Sequence, residues 1–174
     1  MQEQEQLARF QDVVAALMDP EKGCPWDKEQ TALSMCEYLI EECHELVDAI
    51  RSGKPGHACD EMGDLMFVLL LMARRFELSG QFSFGDALKM GADKMVRRHP
   101  HVFGDAEVQN SKDVIQLWEE VKKEEKKERK SVLDGIPRHV ALSQAEKMQK
   151  KAAKVGFDWS DYNGNELLFL LGSR

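Results

Sequence analysis

The chain reads as an all-α protein, a helical bundle completed by homodimerisation, and three features of its sequence lead there. Apolar residues recur at spacings of three and four along most of its length, the period of one helix face. Gly and Pro punctuate those stretches at Pro20, Gly23, Gly53, Pro55, Gly56, Gly80 and Pro100. Residues 65–73, LMFVLLLMA, are apolar on every side of a helix, so that helix expects cover all round. One short domain offers too few partners for that, and a second copy of the chain supplies them.

A first helix is expected over residues 3–18, with Leu7, Phe10, Val13, Val14 and Leu17 on one stripe and Asp19-Pro20 ending it. Residues 21–27 read as a loop carrying Gly23 and Pro25. Asp27 suits a helix cap, and Trp26 beside it suits either a lid over the core or a surface that stacks a base. The first acid-bearing helix spans residues 31–51, with Leu39, Cys43, Leu46, Val47 and Ile50 as its apolar arc. Glu42 lies beside that arc, Glu45 lies between Tyr38 and Ala49 on the wheel, and Glu41 and Asp48 point further out. Ser52 to Gly56 breaks the helix, and the second acid-bearing helix follows over residues 57–79. A helix over residues 83–98 ends at His99-Pro100 with the one concentrated positive patch, Lys94, Arg97 and Arg98, His99 and His101 lying just beyond. Another, over residues 111–130, runs into alternating Lys and Glu that read as a solvated, mutually paired face. A last amphipathic helix, residues 139–153, precedes Gly156-Phe157-Asp158-Trp159 and a short apolar tail that is packing surface or disorder. The organisation expected is a catalytic helical domain over residues 1–130 and a C-terminal helix and tail over 131–174.

At 174 residues the chain can bury a real core. A net charge of −7 argues against a nucleic-acid groove or an anionic membrane surface as partner. An acidic protein that grips a polyanion needs a metal ion to do so. The four cysteines, 24, 36, 43 and 59, form no zinc-ligand pattern and read as reduced thiols, with Cys36 and Cys43 in the core. MQEQEQLARF lacks the order of a signal peptide, and the longest apolar run is about half of a bilayer span, so a cytoplasmic protein is expected.

Chemistry concentrates in residues 41–64, which hold Glu42-x-x-Glu45 and Glu61-x-x-Asp64. Residues three apart project about 60° apart on a helix, so each pair places both carboxylates on one side. Single pairs of this kind are common on solvated faces. Here Glu61 and Asp64 fall on the same side as Leu65, Val68, Leu71 and Met72, which directs them into the packed region. Crowded carboxylates in a low-dielectric space must protonate, pair with bases or hold a cation, and hard oxygen donors suit Mg²⁺ or Mn²⁺. Lys94 and Arg98, four apart, share a face on which they can grip phosphate oxygens. Trp118 and Lys122 are likewise four apart, an aromatic plane beside an ammonium, although a core Trp is the commoner use of such a residue.

These acids, together with Gly23-Cys24-Pro25-Trp26-Asp27-Lys28-Glu29-Gln30-Thr31, Arg97-Arg98-His99-Pro100-His101-Val102-Phe103 and the GFDW of residues 156–159, resemble the MazG-type nucleoside triphosphate pyrophosphohydrolases of the all-α superfamily. The resemblance covers residues from about 7 to 159 and is greatest to the first copy of tandem members. No second E-x-x-E/E-x-x-D pair occurs, so the chain is a single-domain form or a two-domain protein cut down. The resemblance implies Mg²⁺-dependent hydrolysis of a nucleoside triphosphate to the monophosphate and pyrophosphate, in cleaning or regulating nucleotide pools. It implies metal ligation by Glu42, Glu45, Glu61 and Asp64, phosphate contacts from Lys94 and Arg98, and substrate contacts from Trp118 and Lys122. Glu41 or Glu45 would take the proton of the attacking water. A homodimer or dimer of dimers is implied.

Rival readings are a related dUTP or phosphoribosyl-ATP pyrophosphatase and a non-catalytic dimerisation or regulatory module. A carboxylate di-iron bundle needs E-x-x-H twice, and Glu41-x-x-His44 supplies it once.

Overall fold

The computed structural model describes residues 2–125, 127, 131, 136, 141–153 and 156, and every regular element among them is an α-helix. The chain divides into two compact units, Met1–Asp105 and Ala106–Arg174. The first unit contains α1 (Gln2–Leu17), α2 (Pro25–Glu29), α3 (Met35–Arg51), α4 (Pro55–Leu78), α5 (Phe84–Arg98) and α6 (Pro100–Phe103). The second contains α7 (Ser111–Glu124) and α8 (Ala141–Ala153). The expected helix end at 126 and 128–130, the start at 139–140, and the GFDW and tail over 157–174 lie outside the described residues.

A packed α3/α4 hairpin forms the centre of the first unit, with α1 and α5 each against α4. Val14 and Met18, Met35, and Val68, Leu70 and Leu71 form the core, where Phe10, Tyr38, Leu39, Phe67, Met72 and Phe84 pack. Leu71 is wholly enclosed. Phe10 of α1 stacks on Phe67 of α4 with centroids 6.4 Å apart, which ties the amino-terminal helix to the hairpin.

Local chemistry sets the boundaries. After α1, the Asp19 carboxylate accepts from the backbone N–H of Glu21 and Lys22 at 3.0 and 2.8 Å, and Cys24 N–H returns to Leu17 O at 2.8 Å. The chain then passes so close to α1 that a Cβ on Gly23 would meet Leu17 O at 2.4 Å. Pro25 opens α2 at its first turn, where no N–H is needed, so the expected loop over 21–27 contains the start of a short helix. Cys24 is the cap of that helix, and Asp27, expected to cap, is buried inside it. Arg75 of α4 donates to the carbonyls of Asp27 and Lys28, closing the end of α2. Before α3, Thr31 and Ser34 bond each other's backbone N–H through their hydroxyls at 2.9 and 3.0 Å, which holds a turn where the sequence suggests helix. Gly53, at φ 68°, ends α3 in the left-handed region, and Pro55 starts α4 two residues earlier than the pattern suggests. Ser83 and Asp86 form a reciprocal capping box at the start of α5. In the second unit, Asn110 caps α7 by accepting from Lys112 and Asp113 N–H at 2.8 and 3.2 Å.

Burial on α3 departs from the expected arc, and burial on α4 is partial within one chain. The apolar run of α4 is not covered all round within one chain: Val68, Leu70, Leu71 and Ala73 are buried, whereas Met62, Met66 and Leu69 are exposed. On α3, the side with Met35, Tyr38, Leu39, Glu42, Leu46 and Ala49 turns inward, which leaves Val47, Ile50 and Cys43 of the expected arc outside with Ile40. Cys43 is therefore exposed and Cys36 half-buried, neither in the core. No helix among the described residues is long and apolar enough to cross a membrane.

Candidate functional site

The inward side of α3 carries Glu42, and one turn further Glu45 stands at its edge. Across the hairpin, α4 supplies Glu61. One carboxylate oxygen from each of Glu42, Glu45 and Glu61 lies within 4.8 Å of the other two. Glu61 is the floor of this group, 8% exposed, while Glu42 is half-buried and Glu45 exposed.

The electrostatics follow from that placement. Burial, then the charges of Asp64, Glu45, Glu61 and Glu41, raise the Glu42 carboxyl above its ordinary range. Burial and the Glu45 charge raise Glu61, with His57 opposing them. The closeness of the Glu45 carboxylate and the charge of Asp64 add to the rise. The all-oxygen donor set and mutual spacing fit a hard divalent ion, Mg²⁺ or Mn²⁺.

Asp64 is exposed, against the expectation that it turns inward with Glu61, and stands outside the 4.8 Å group. Its charge still reaches Glu42 and Glu61. Glu41 is exposed beside Glu42, and Asp48 pairs with Arg51 at 3.6 Å on the outer face. One contact was not foreseen: His57 Nε2 lies 3.1 Å from Glu61 Oε1. Its signal was the i, i+4 spacing of His57 and Glu61 on one helix.

Near the acids, Trp26 rests edge-on against Tyr38, with centroids 5.4 Å apart and planes at 83°. Tyr38 lies one turn before Glu42 on α3, and Trp26 remains substantially exposed. Trp26 therefore covers part of the core and presents an aromatic surface as well. On α5, Lys94 and Arg98 share a half-buried side and Arg97 is exposed. His99 Nδ1 lies 2.6 Å from Met95 O. On α7, Trp118 and Lys122 are both half-buried one turn apart, and Lys122 approaches Glu119 at 3.8 Å.

The model of the MazG nucleotide pyrophosphohydrolase domain matches residues 30–103. Over 158 residues the chain is 44% identical to the nucleoside triphosphate pyrophosphohydrolase of Escherichia coli (strain K12), spanning 89% of this chain and 60% of that protein. The nucleoside triphosphate pyrophosphohydrolase/pyrophosphatase MazG of Thermotoga maritima is 39% identical over 154 residues, 87% of this chain and 58% of that one. The chain carries a MazG domain over residues 30–103. It spans about three fifths of the length of these two relatives. A crystal structure of a mazG-related protein from Thermotoga maritima has the same fold, with a TM-score of 0.58 over 67% of this chain and 98% of that chain at 22% identity. The matched MazG span contains all four acids of the two motifs and both Lys94 and Arg98, and ends before α7.

Proposed function

We propose that this MazG chain hydrolyses nucleoside triphosphates to the monophosphate and pyrophosphate at the acidic side of the α3/α4 hairpin. The observation that carries the reading is the convergence of Glu42, Glu45 and Glu61 within 4.8 Å, with the carboxyls of Glu42 and Glu61 raised by burial and neighbouring charge. Mg²⁺ or Mn²⁺ would be held by these three acids with Asp64, and would neutralise phosphate oxygens and polarise the phosphorus. Lys94 and Arg98 bind phosphate oxygens, Arg98 through its planar fork. Glu45 or Glu41, both at the exposed edge of the cluster, accepts the proton of the attacking water as its oxygen bonds to phosphorus and the phosphoanhydride bond breaks. The exposed face of Trp26 offers an aromatic contact for the base, and Trp118 and Lys122 on α7 are an aromatic and a cation suited to a nucleotide. The role is the cleaning or regulation of nucleotide pools in the cytoplasm.

The working form in this reading is a homodimer or a dimer of dimers. Ile40, Val47 and Ile50 form an uncovered stripe on α3, and Met62, Met66 and Leu69 another on α4. The two helices pack as a hairpin, so these stripes offer cover to a second copy. A second hairpin laid there completes a four-helix bundle.

The test is pyrophosphate release, coupled to inorganic pyrophosphatase, over common and oxidised triphosphates with Mg²⁺ or chelator. Hydrolysis is expected only with the metal, and Glu61→Ala is expected to lower kcat/KM about a hundredfold or more. Preference for one substrate, dUTP or phosphoribosyl-ATP, would narrow the assignment within the superfamily. Turnover that persists in chelator, or is unchanged in Glu61→Ala, leaves the non-catalytic helical module as the better reading.

A further inference from the structure

Glu61 is the most enclosed carboxylate of the acidic cluster, with 10% of its side chain exposed. The groups around it that carry charge are Glu45 and Asp64, both acids, and His57. His57 sits one turn earlier on α4, with Nε2 at 3.1 Å from Glu61 Oε1 and 55% of its side chain in solvent. Packing does not explain a ring so exposed. Helix electrostatics does not explain it either, since the first turn of a helix favours acids over bases. The contact with Glu61 is the interaction that this placement serves.

A Glu side chain has three rotatable bonds, and one crowded by other acids is driven to swing away from them. A donor on one oxygen prevents this and fixes which lone pairs remain available. His57 Nε2–H can donate to Oε1 whether the ring is neutral or charged, which leaves Oε2 of Glu61 for the interior of the cluster. The ring is not part of the group of mutually close ligand atoms, which among the described residues contains Glu42, Glu45 and Glu61. It stands outside that group and in contact with one of its acids, the arrangement in which outer hydrogen bonds orient metal-binding side chains and tune their affinity.

We propose that His57 is a positioning residue that holds Glu61 in the conformation required to bind a divalent cation. The inference rests on the metal-centre reading of the acidic cluster. It predicts a change in cation affinity that can be measured without substrate.

The experiment uses the full chain and Mn²⁺ as probe, titrated calorimetrically in the absence of nucleotide. His57→Ala is expected to weaken Mn²⁺ binding about tenfold or more. His57→Gln, whose amide N–H can occupy the place of Nε2–H, is expected to recover most of that loss. In pyrophosphate release, His57→Ala should need about tenfold more Mg²⁺ for half-activation and approach the parent kcat once Mg²⁺ is saturating. Melting in chelator should be nearly unchanged in both variants, because the ring is largely solvated. Parent-like Mn²⁺ affinity in His57→Ala overturns the proposal, as does a His57→Gln variant no better than His57→Ala. Failure of the parent itself to bind Mn²⁺ is a separate outcome, and overturns the metal centre together with the role of His57.

Discussion

Glu42 and Glu61 show how a single side chain in this MazG chain couples stability to function. Burial and neighbouring acids raise both carboxyls in the folded state, so folding favours their protonated forms. Such a contribution is fully present below the ordinary carboxyl value of 4.5 and is lost as pH rises through the raised folded value. In chelator, these groups should therefore lower the melting temperature as pH climbs from about 4.5 toward neutrality. A divalent cation at about a hundredfold over its Kd should return about 2.7 kcal/mol at neutral pH. Glu42→Gln is expected to flatten the pH slope, melt above the parent in chelator and gain less from Mg²⁺. Calorimetry at several pH values checks this, and a variant that melts below the parent in chelator at neutral pH contradicts it. At this scale the acids of the site were legible as residue types, but their depth was not. Glu61 and Asp64 are about 60° apart on the wheel, and a sector edge falling between them buries one and exposes the other.

Helices were legible where apolar period and breakers agree, as in α1 and α5, and less so where side chains compete for the backbone. The Thr31/Ser34 turn delays α3 to Met35, because two short hydroxyl side chains satisfy N–H groups that a helix would otherwise use. Pro55 and Gly56 look like breakers and instead form the first turn of α4, where a missing N–H costs nothing. The capping box of α5 is a testable case of such local chemistry. Ser83 Oγ accepts from Asp86 N–H at 3.1 Å, while the Asp86 carboxylate accepts from Ser83 N–H at 2.8 Å. A hydrogen bond donated by the Ser83 hydroxyl at 2.7 Å, then the one from Ser83 N–H, holds the Asp86 carboxyl below its ordinary range. Its contribution is present above that range and lost as pH falls through the lowered value. Ser83→Ala is expected to cost about 1 kcal/mol in urea denaturation at neutral pH. A loss that stays the same well below pH 3.8, where an ordinary Asp is protonated, would separate the cap from the Asp86 charge.

For the whole molecule, the uncovered stripes of α3 and α4 decide between monomer and assembly. Val47→Glu with Met66→Glu places charge on both without touching the acids. On the dimeric reading, the parent is expected to sediment as a dimer or larger and the double variant as a monomer. Parent-like sedimentation would show that these stripes are not the contact. By itself the sequence determined the all-α class, the helical hairpin and the residue types of an acidic site, because periodicity, breakers and motif spacing are properties of neighbours along the chain. Tertiary structure alone decided which acids converge and which apolar residues stay uncovered on α4. Those outcomes depend on how one helix is rotated against another, and a rotation of about 60° exchanges buried for exposed without altering any local pattern.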